Sequence, residues 1–345
     1  MTTPNLFKFA TSELSQDAFI CWLLSWAKKE YKKGDDKQKA LNGIANRVLA
    51  LFFEKAGKEI PNTIETIVVQ RQVSNIDILC IINDTYCVLI EDKVGSIQHS
   101  NQLVRYKQFM IDGHSTIFEE NKIVAIYLQT HDQSSYKRVL EDGFYPITRK
   151  DLLDIFNNER HEGLKYSDIY TNFYDYLTSI EDAVQSFKYL PVSKWGHRAW
   201  IGFFQYLQSQ SQLGEGSWGY VANPSGGFMG FWGFTRKVDD VDIYLQLEQD
   251  KICFKMAIPQ KENRKNFRNR FYKLFVAEAS NFDLTVSKPK RFGLGRHMTF
   301  AVLDTDIINT NSTSLVNLED VNTLINDLRK FINHGVDQYE KQSDC

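Results

Sequence analysis

The stretch IDILCIINDTYCVLIEDK, Ile76 to Lys93, decides how this chain is to be read. Two apolar runs flank Asn83-Asp84-Thr85, and read as a three-residue hairpin loop these pair Ile82 with Tyr86. Paired positions then sum to 168, so Asp77 lies across from Glu91. Directly opposed residues share a face of the sheet. The period of two along a strand adds Lys93 to that face and sends Asp92 to the other. Two carboxylates and an ammonium thus converge at one end of an apolar hairpin, while Asp92 is expected to face away in a structural role.

Like charges opposed across strands repel, so a third group must compensate. A hard divalent cation does this well, since Mg²⁺ is usually held by one or two carboxylates, waters and substrate phosphates. Such an ion polarises a phosphodiester and lowers the pKa of an attacking water. Lys93 is placed to orient that water or to stabilise the pentavalent charge.

Outward from the hairpin, the apolar spacing of Phe19, Trp22, Leu23 and Trp26 predicts a helix over 15–31. A second helix is expected over about 38–56, ending near Gly57, and a strand over 64–73 precedes the hairpin strands 76–82 and 86–93. A helix from about 98 to 111 stops at Asp112-Gly113. A strand over 122–130, a strand-to-helix segment over 144–156 and amphipathic helices to about 187 follow. This is an α/β order around one mixed central sheet. After LPVSKWGH (190–197) the chain turns rich in Gly, Trp and Phe over 216–258, then gives a basic helix (261–278), a strand pair (283–303) and a last helix (317–335). The expected division is an α/β domain over 1–188 and a smaller α+β domain over 189–345. With 345 residues and 43% hydrophobic content, two cores are reasonable.

Composition narrows the function. The net charge is −2, so contact with nucleic acid must come from local patches. Five scattered cysteines, an odd number with no C-x-x-C pair, suit a reducing compartment. No leader-like segment opens the chain and no apolar run approaches the roughly 18 residues of a membrane span, so a cytoplasmic protein without membrane contact is expected. The seven histidines have no zinc-ligand spacing, and neither a G-x-x-x-x-G-K-[ST] loop nor a G-x-S-x-G elbow is present.

Asp77, followed by Glu91-Asp92-Lys93 on the next strand, resembles the PD-(D/E)XK nuclease superfamily, with Asn75-Ile76 in place of the Pro before the first acid. Gln102-Leu-Val-Arg-Tyr106 is similar to the Q-x-x-x-Y of its RecB-like branch, and spacing i, i+4 puts both ends on one helix face. TSELSQDAFICWLLSWA resembles the first helix of an uncharacterised bacterial branch, where a Glu near the helix start, here Glu13, reaches the metal. Members of that branch often carry an acid in the strand before the Asp; here IVVQRQ offers only Gln70 and Gln72. The resemblance spans about residues 8–155. It implies a restriction-endonuclease-like fold, Mg²⁺ or Mn²⁺ held by Asp77, Glu91 and Glu13, and Lys93, Gln102 and Tyr106 completing the catalytic set.

It further implies a nuclease acting on DNA, with RNA left open, in bacterial DNA processing or defence against foreign DNA. A homodimer is compatible with it. The rival reading is a non-catalytic nucleic-acid-binding or regulatory module that keeps the fold. For phosphate contact the candidates are Arg264, Lys265 and Arg268 on the basic helix, with Lys290 and Arg291 beyond it. A solvated helix face is the plain alternative. Trp218, Tyr220, Phe228, Phe231 and Trp232 are expected to be core rather than base-stacking platforms.

Overall fold

A computed structural model describes residues 4–95, 104–105, 108, 111, 118–158, 165–210, 216–223, 226–249 and 251–343. The chain divides into two compact units, Met1–Asp182 and Ala183–Cys345.

The first unit opens with helix α1 (Glu13–Leu24), which stops earlier than its apolar spacing suggests. Two short 3₁₀ turns, Ser25–Ala27 and Lys29–Lys33, take its place. The break falls at Lys28, where ψ of 139° leaves the helical region, and the next N–H donates to the Ile64 carbonyl instead. Helix α2 (Asp36–Lys55) starts with a reciprocal capping box between Asp35 and Gln38. It ends at Gly57, whose φ of +63° is the left-handed stop.

Strands β1 (Ile67–Val73), β2 (Ile76–Ile82) and β3 (Tyr86–Lys93) form an antiparallel meander. Strands β4 (Ile123–Gln129) and β5 (Tyr145–Thr148) join in parallel, giving one mixed sheet in the order β1-β2-β3-β4-β5. Helices α3 (Lys137–Glu141) and α4 (Arg149–Asn158) follow, and α5 (Asp168–Gln185) runs past the end of this unit at Asp182. The sheet is covered on both faces. Val88 and Ile90 pack in a core with Phe19, Leu23, Val48 and Phe173. Cys87 and Leu89 pack on the other side with Phe118, Tyr127 and Phe144. Burial of both faces is why the hairpin reads as nearly continuous apolar sequence.

The second unit holds α6 (His197–Ser209), β6 (Ser217–Val221), β7 (Phe228–Val238), β8 (Val241–Leu247), β9 (Ile252–Ala257), α7 (Arg264–Glu278), β10 (Val286–Ser287), β11 (His297–Leu303) and α8 (Leu318–Ser343). Its antiparallel sheet runs β10-β11-β9-β8-β7-β6. Val241, Ile243, Leu245 and Leu247 alternate inward onto a core shared with Phe271, Phe275, Phe331 and Ile332. Trp218 and Phe231 are core, and Phe228 and Trp232 are half-buried. Tyr220 departs from the expectation: near the end of edge strand β6 it lies against Gly227 and stays 62% exposed. Among the described residues no helix is long and apolar enough to cross a membrane.

Candidate active site

The hairpin register is the one the loop length demands: Ile82 faces Tyr86 and Ile78 faces Ile90. Asn83 and Asp84 both sit at φ of +51°, a conformation that asparagine and aspartate tolerate. The Asn83 side chain holds the loop, accepting from the N–H groups of Glu65 and Thr66 and donating to the Thr63 carbonyl at 2.8 Å.

At the far end of the hairpin the charged side chains meet. Lys93 Nζ donates to Glu91 Oε1 at 2.5 Å and lies 3.9 Å from Asp77 Oδ2. The site is graded in depth: the Glu91 side chain is 1% exposed, that of Lys93 10% and that of Asp77 18%. Asp77 is anchored twice, its Oδ2 accepting from the backbone N–H of Asp92 at 2.9 Å and its Oδ1 from Gln72 Nε2 at 3.0 Å. Gln72 can do this because β1 breaks there. The ladder runs Arg71 to Ile78 and Val73 to Ile76, while Gln72 takes φ of +57° and turns its amide onto the residue it would otherwise face. Glu13, in the first turn of α1, reaches the same strand end, its Oε1 3.5 Å from the Val94 N–H.

The electrostatics follow from this depth. Burial, with the Asp77 charge adding to it, pushes the Glu91 carboxyl up to about 7 against the lowering pull of Lys93. Burial works against the Lys93 ammonium too, yet the hydrogen bond and charge of Glu91, with Asp77 and Glu13 behind, hold it above the ordinary lysine value. The two shifts look opposed for one ion pair. Burial of the acid decides: the lysine stays charged throughout, and Glu91 gives up its proton only near neutrality. Glu91 Oε2 is buried without a hydrogen-bond partner. A buried, unpartnered carboxylate oxygen beside a second carboxylate is a ready donor to a hard cation. Among the described residues no three His, Cys, Asp or Glu side chains gather as a complete cage. A pair of carboxylates open to waters and phosphate is nonetheless the usual protein share of a Mg²⁺ site.

On the opposite face Asp92, expected there, meets an acid that the sequence reading missed, Asp17. Asp92 is fully buried and accepts from Gln16 Nε2 at 2.5 Å; Gln16 Oε1 in turn accepts from Thr130 Oγ1 at 2.6 Å. Asp17, one residue along α1, interacts with the Asp92 side chain and lies 3.5 Å from Gln72 Nε2. Burial and the Asp77 charge raise Asp17 to about 6, and burial with the Asp17 charge holds Asp92 well above its ordinary range. The signal for Asp17 in the sequence was the polar run Ser15-Gln16-Asp17 at the start of a helix otherwise apolar inward. Gln129, whose strand pairs it with Lys93, is also buried, with its Oε1 unpartnered.

Gln102 and Tyr106 lie outside the described residues. The expected phosphate contacts lie in the second unit and separate into two kinds. Arg264 and Arg268 spend their guanidinium groups on the Ile258, Pro259, Phe292 and Gly293 carbonyls. Lys265, Lys290 and Arg291 are exposed.

Residues 4–190 match the family model described as the PD-(D/E)XK nuclease superfamily. No curated protein and no solved structure gives a match.

Proposed function

This chain belongs to the PD-(D/E)XK nuclease superfamily, and on that premise we propose that its first unit hydrolyses DNA phosphodiester bonds with the help of a divalent cation. The observation that carries the reading is the convergence of Asp77, Glu91 and Lys93, with one Glu91 oxygen buried and unpartnered. Asp77 and Glu91, with Glu13 at the same strand end, are the residues to hold Mg²⁺ or Mn²⁺. When bound, the ion supplies Lewis-acid polarisation of the phosphodiester and a more acidic water.

The remaining work falls to side chains of this chain. Lys93, charged at neutral pH, faces the scissile group and offsets the negative charge that develops on it. Gln72 and the Asp92 N–H hold Asp77 in one orientation, so no reorganisation is needed as charge builds. Glu91 must be ionised to act as a ligand, so activity rises as pH passes through its raised pKa, and cation binding draws that rise to lower pH.

The test is cleavage of plasmid, linear duplex, single-stranded DNA and structured RNA with Mg²⁺ or Mn²⁺, by the parent chain and by Glu91→Ala and Lys93→Ala. Loss of cleavage in both variants with the fold intact by circular dichroism supports the reading. Cleavage that survives both substitutions overturns it, and cleavage confined to RNA moves the substrate from DNA to RNA. No cleavage by the parent on any substrate favours the binding-module alternative.

A further inference from the structure

In the second unit, residues 261–296 hold ten lysines and arginines against three acids, and no acid lies between Leu284 and Leu303. The structure sorts these cations by task. Arg268 is 7% exposed; it donates to the Phe292 and Gly293 carbonyls, both at 2.7 Å, and stacks on the Phe292 ring at 3.7 Å. Arg264 ties the Ile258 and Pro259 carbonyls at 3.0 Å and that of Leu294 at 3.4 Å. The Ile258 N–H donates to the Arg296 carbonyl at 2.9 Å. A segment with no regular secondary structure between β10 and β11 is therefore pinned at Phe292, Gly293, Leu294 and Arg296.

What the pinned segment presents is positive. Lys288, Lys290, Arg291 and Arg296 are exposed, as is Lys265 on α7. Lys288 sits over the Phe292 ring, and none of these five has a carboxylate partner among the described residues. Mutual repulsion of unpaired cations costs stability, and ordering the backbone that carries them adds an entropic cost. Two arginine clamps, Arg268 buried and Arg264 half-buried, offset that cost. Such an arrangement fits a partner that brings its own regular anionic charge and needs no base-edge contacts, the footprint of a phosphate backbone.

We infer that the segment 288–296, clamped by Arg264 and Arg268, is a nucleic-acid backbone-binding surface of the second unit, with Lys288, Lys290, Arg291 and Arg296 as phosphate contacts and the clamping arginines as its frame. The choice of nucleic acid over other polyanions rests on the nuclease reading of the first unit. The surface itself binds whether or not the first unit cuts.

The test uses the full chain carrying Glu91→Gln, so that bound substrate is not consumed, and fluorescence anisotropy on labelled 30-mers of duplex DNA, single-stranded DNA and RNA across a salt series. Lys290→Ala/Arg291→Ala is expected to weaken binding at least tenfold and to lower the slope of log Kd against log salt by about 2 on duplex, with melting unchanged. Lys8→Ala/Lys341→Ala removes the same charge from exposed positions elsewhere and is expected to leave the affinity within about twofold, the change of a distant exposed charge being small. The inference fails if the 290/291 pair binds like its parent, if both pairs lose affinity equally, or if the parent binds anionic phosphatidylserine vesicles and no nucleic acid. Because the readout is binding, a chain that binds through this surface yet never cleaves separates this inference from the nuclease reading.

Discussion

Asp92 donates its backbone N–H to Asp77 Oδ2 at 2.9 Å while its own carboxyl lies on the opposite face of the sheet, hydrogen-bonded to Gln16. One residue thereby links two sets of acids that the sheet keeps apart. On one side stand Asp77, Glu91 and Lys93, and on the other Asp17 and Asp92, both held above the ordinary carboxylate range by burial. The strand between them fixes their relative position, and the Asp77 charge is still felt at Asp17.

Lys93→Met leaves the Glu91 carboxyl buried beside Asp77 with no counter-charge. Glu91 has a raised pKa of about 7, so its contribution to stability is greatest with the proton on and is lost as pH rises through that value. Below pH 6 the variant escapes by protonation and melts close to the parent. At pH 8.5 it is expected to lose on the order of 3 kcal/mol. Calorimetric melting at the two pH values checks this, and an equal loss at both would contradict it.

Gln72→Ala frees one oxygen of Asp77 while leaving both proposed carboxylate ligands in place. Loss of such a supporting hydrogen bond is expected to weaken Mn²⁺ binding by about 10- to 100-fold. Isothermal titration reads it directly, with Asp77→Asn as the variant expected to abolish the heat. Unchanged Mn²⁺ affinity in Gln72→Ala would mean that the Asp92 N–H suffices alone.

Asp17 gives a stability signature separate from the site face. Its pKa is raised from 3.8 to about 6, so the folded chain binds this proton more tightly than the unfolded one. Stability falls as pH rises across that window, by on the order of 3 kcal/mol at most. Asp17→Asn is expected to flatten that fall, which urea titrations at pH 4.5 and 7.5 would reveal. A fall as steep as the parent's would place the proton elsewhere.

The β2–β3 loop offers a packing test. Asn83→Ala removes three hydrogen bonds and puts alanine at φ of +51°. A cost of about 2 to 3 kcal/mol in chemical denaturation is expected. Asn83→Gly keeps the backbone at ease and loses only the bonds, so it should fall between alanine and parent.

The hairpin was legible because a three-residue loop leaves one pairing, and that pairing carries Asp77, Glu91 and Lys93 to one face by arithmetic alone. Asp17 on α1 was not legible. Whether Asp17 faces water or a strand depends on how α1 packs over the sheet, a contact between residues some 75 positions apart in sequence. Gln72 was visible only as a polar residue where the resemblance led one to expect an acid; its turn onto Asp77 needs a left-handed backbone that no period predicts. Arg264 and Arg268 have the spacing of a basic helix face, and only the fold of the segments on either side of α7 shows them consumed by backbone carbonyls. The first helix ran short because the Lys29 N–H is captured by Ile64, again a distant partner.

The parallel joining of β4 to β3 has a consequence for synthesis. Twenty-nine residues separate Lys93 from Ile123, so a chain leaving the ribosome exposes the whole meander well before Gln129 and Thr130 emerge. A local antiparallel hairpin closes quickly, while the crossover to a parallel neighbour must wait for a longer loop. Until then Glu91 and Asp92 remain wet and ionised. Their charge disfavours pairing of the bare edge of β3 with another nascent chain until the rightful neighbour docks.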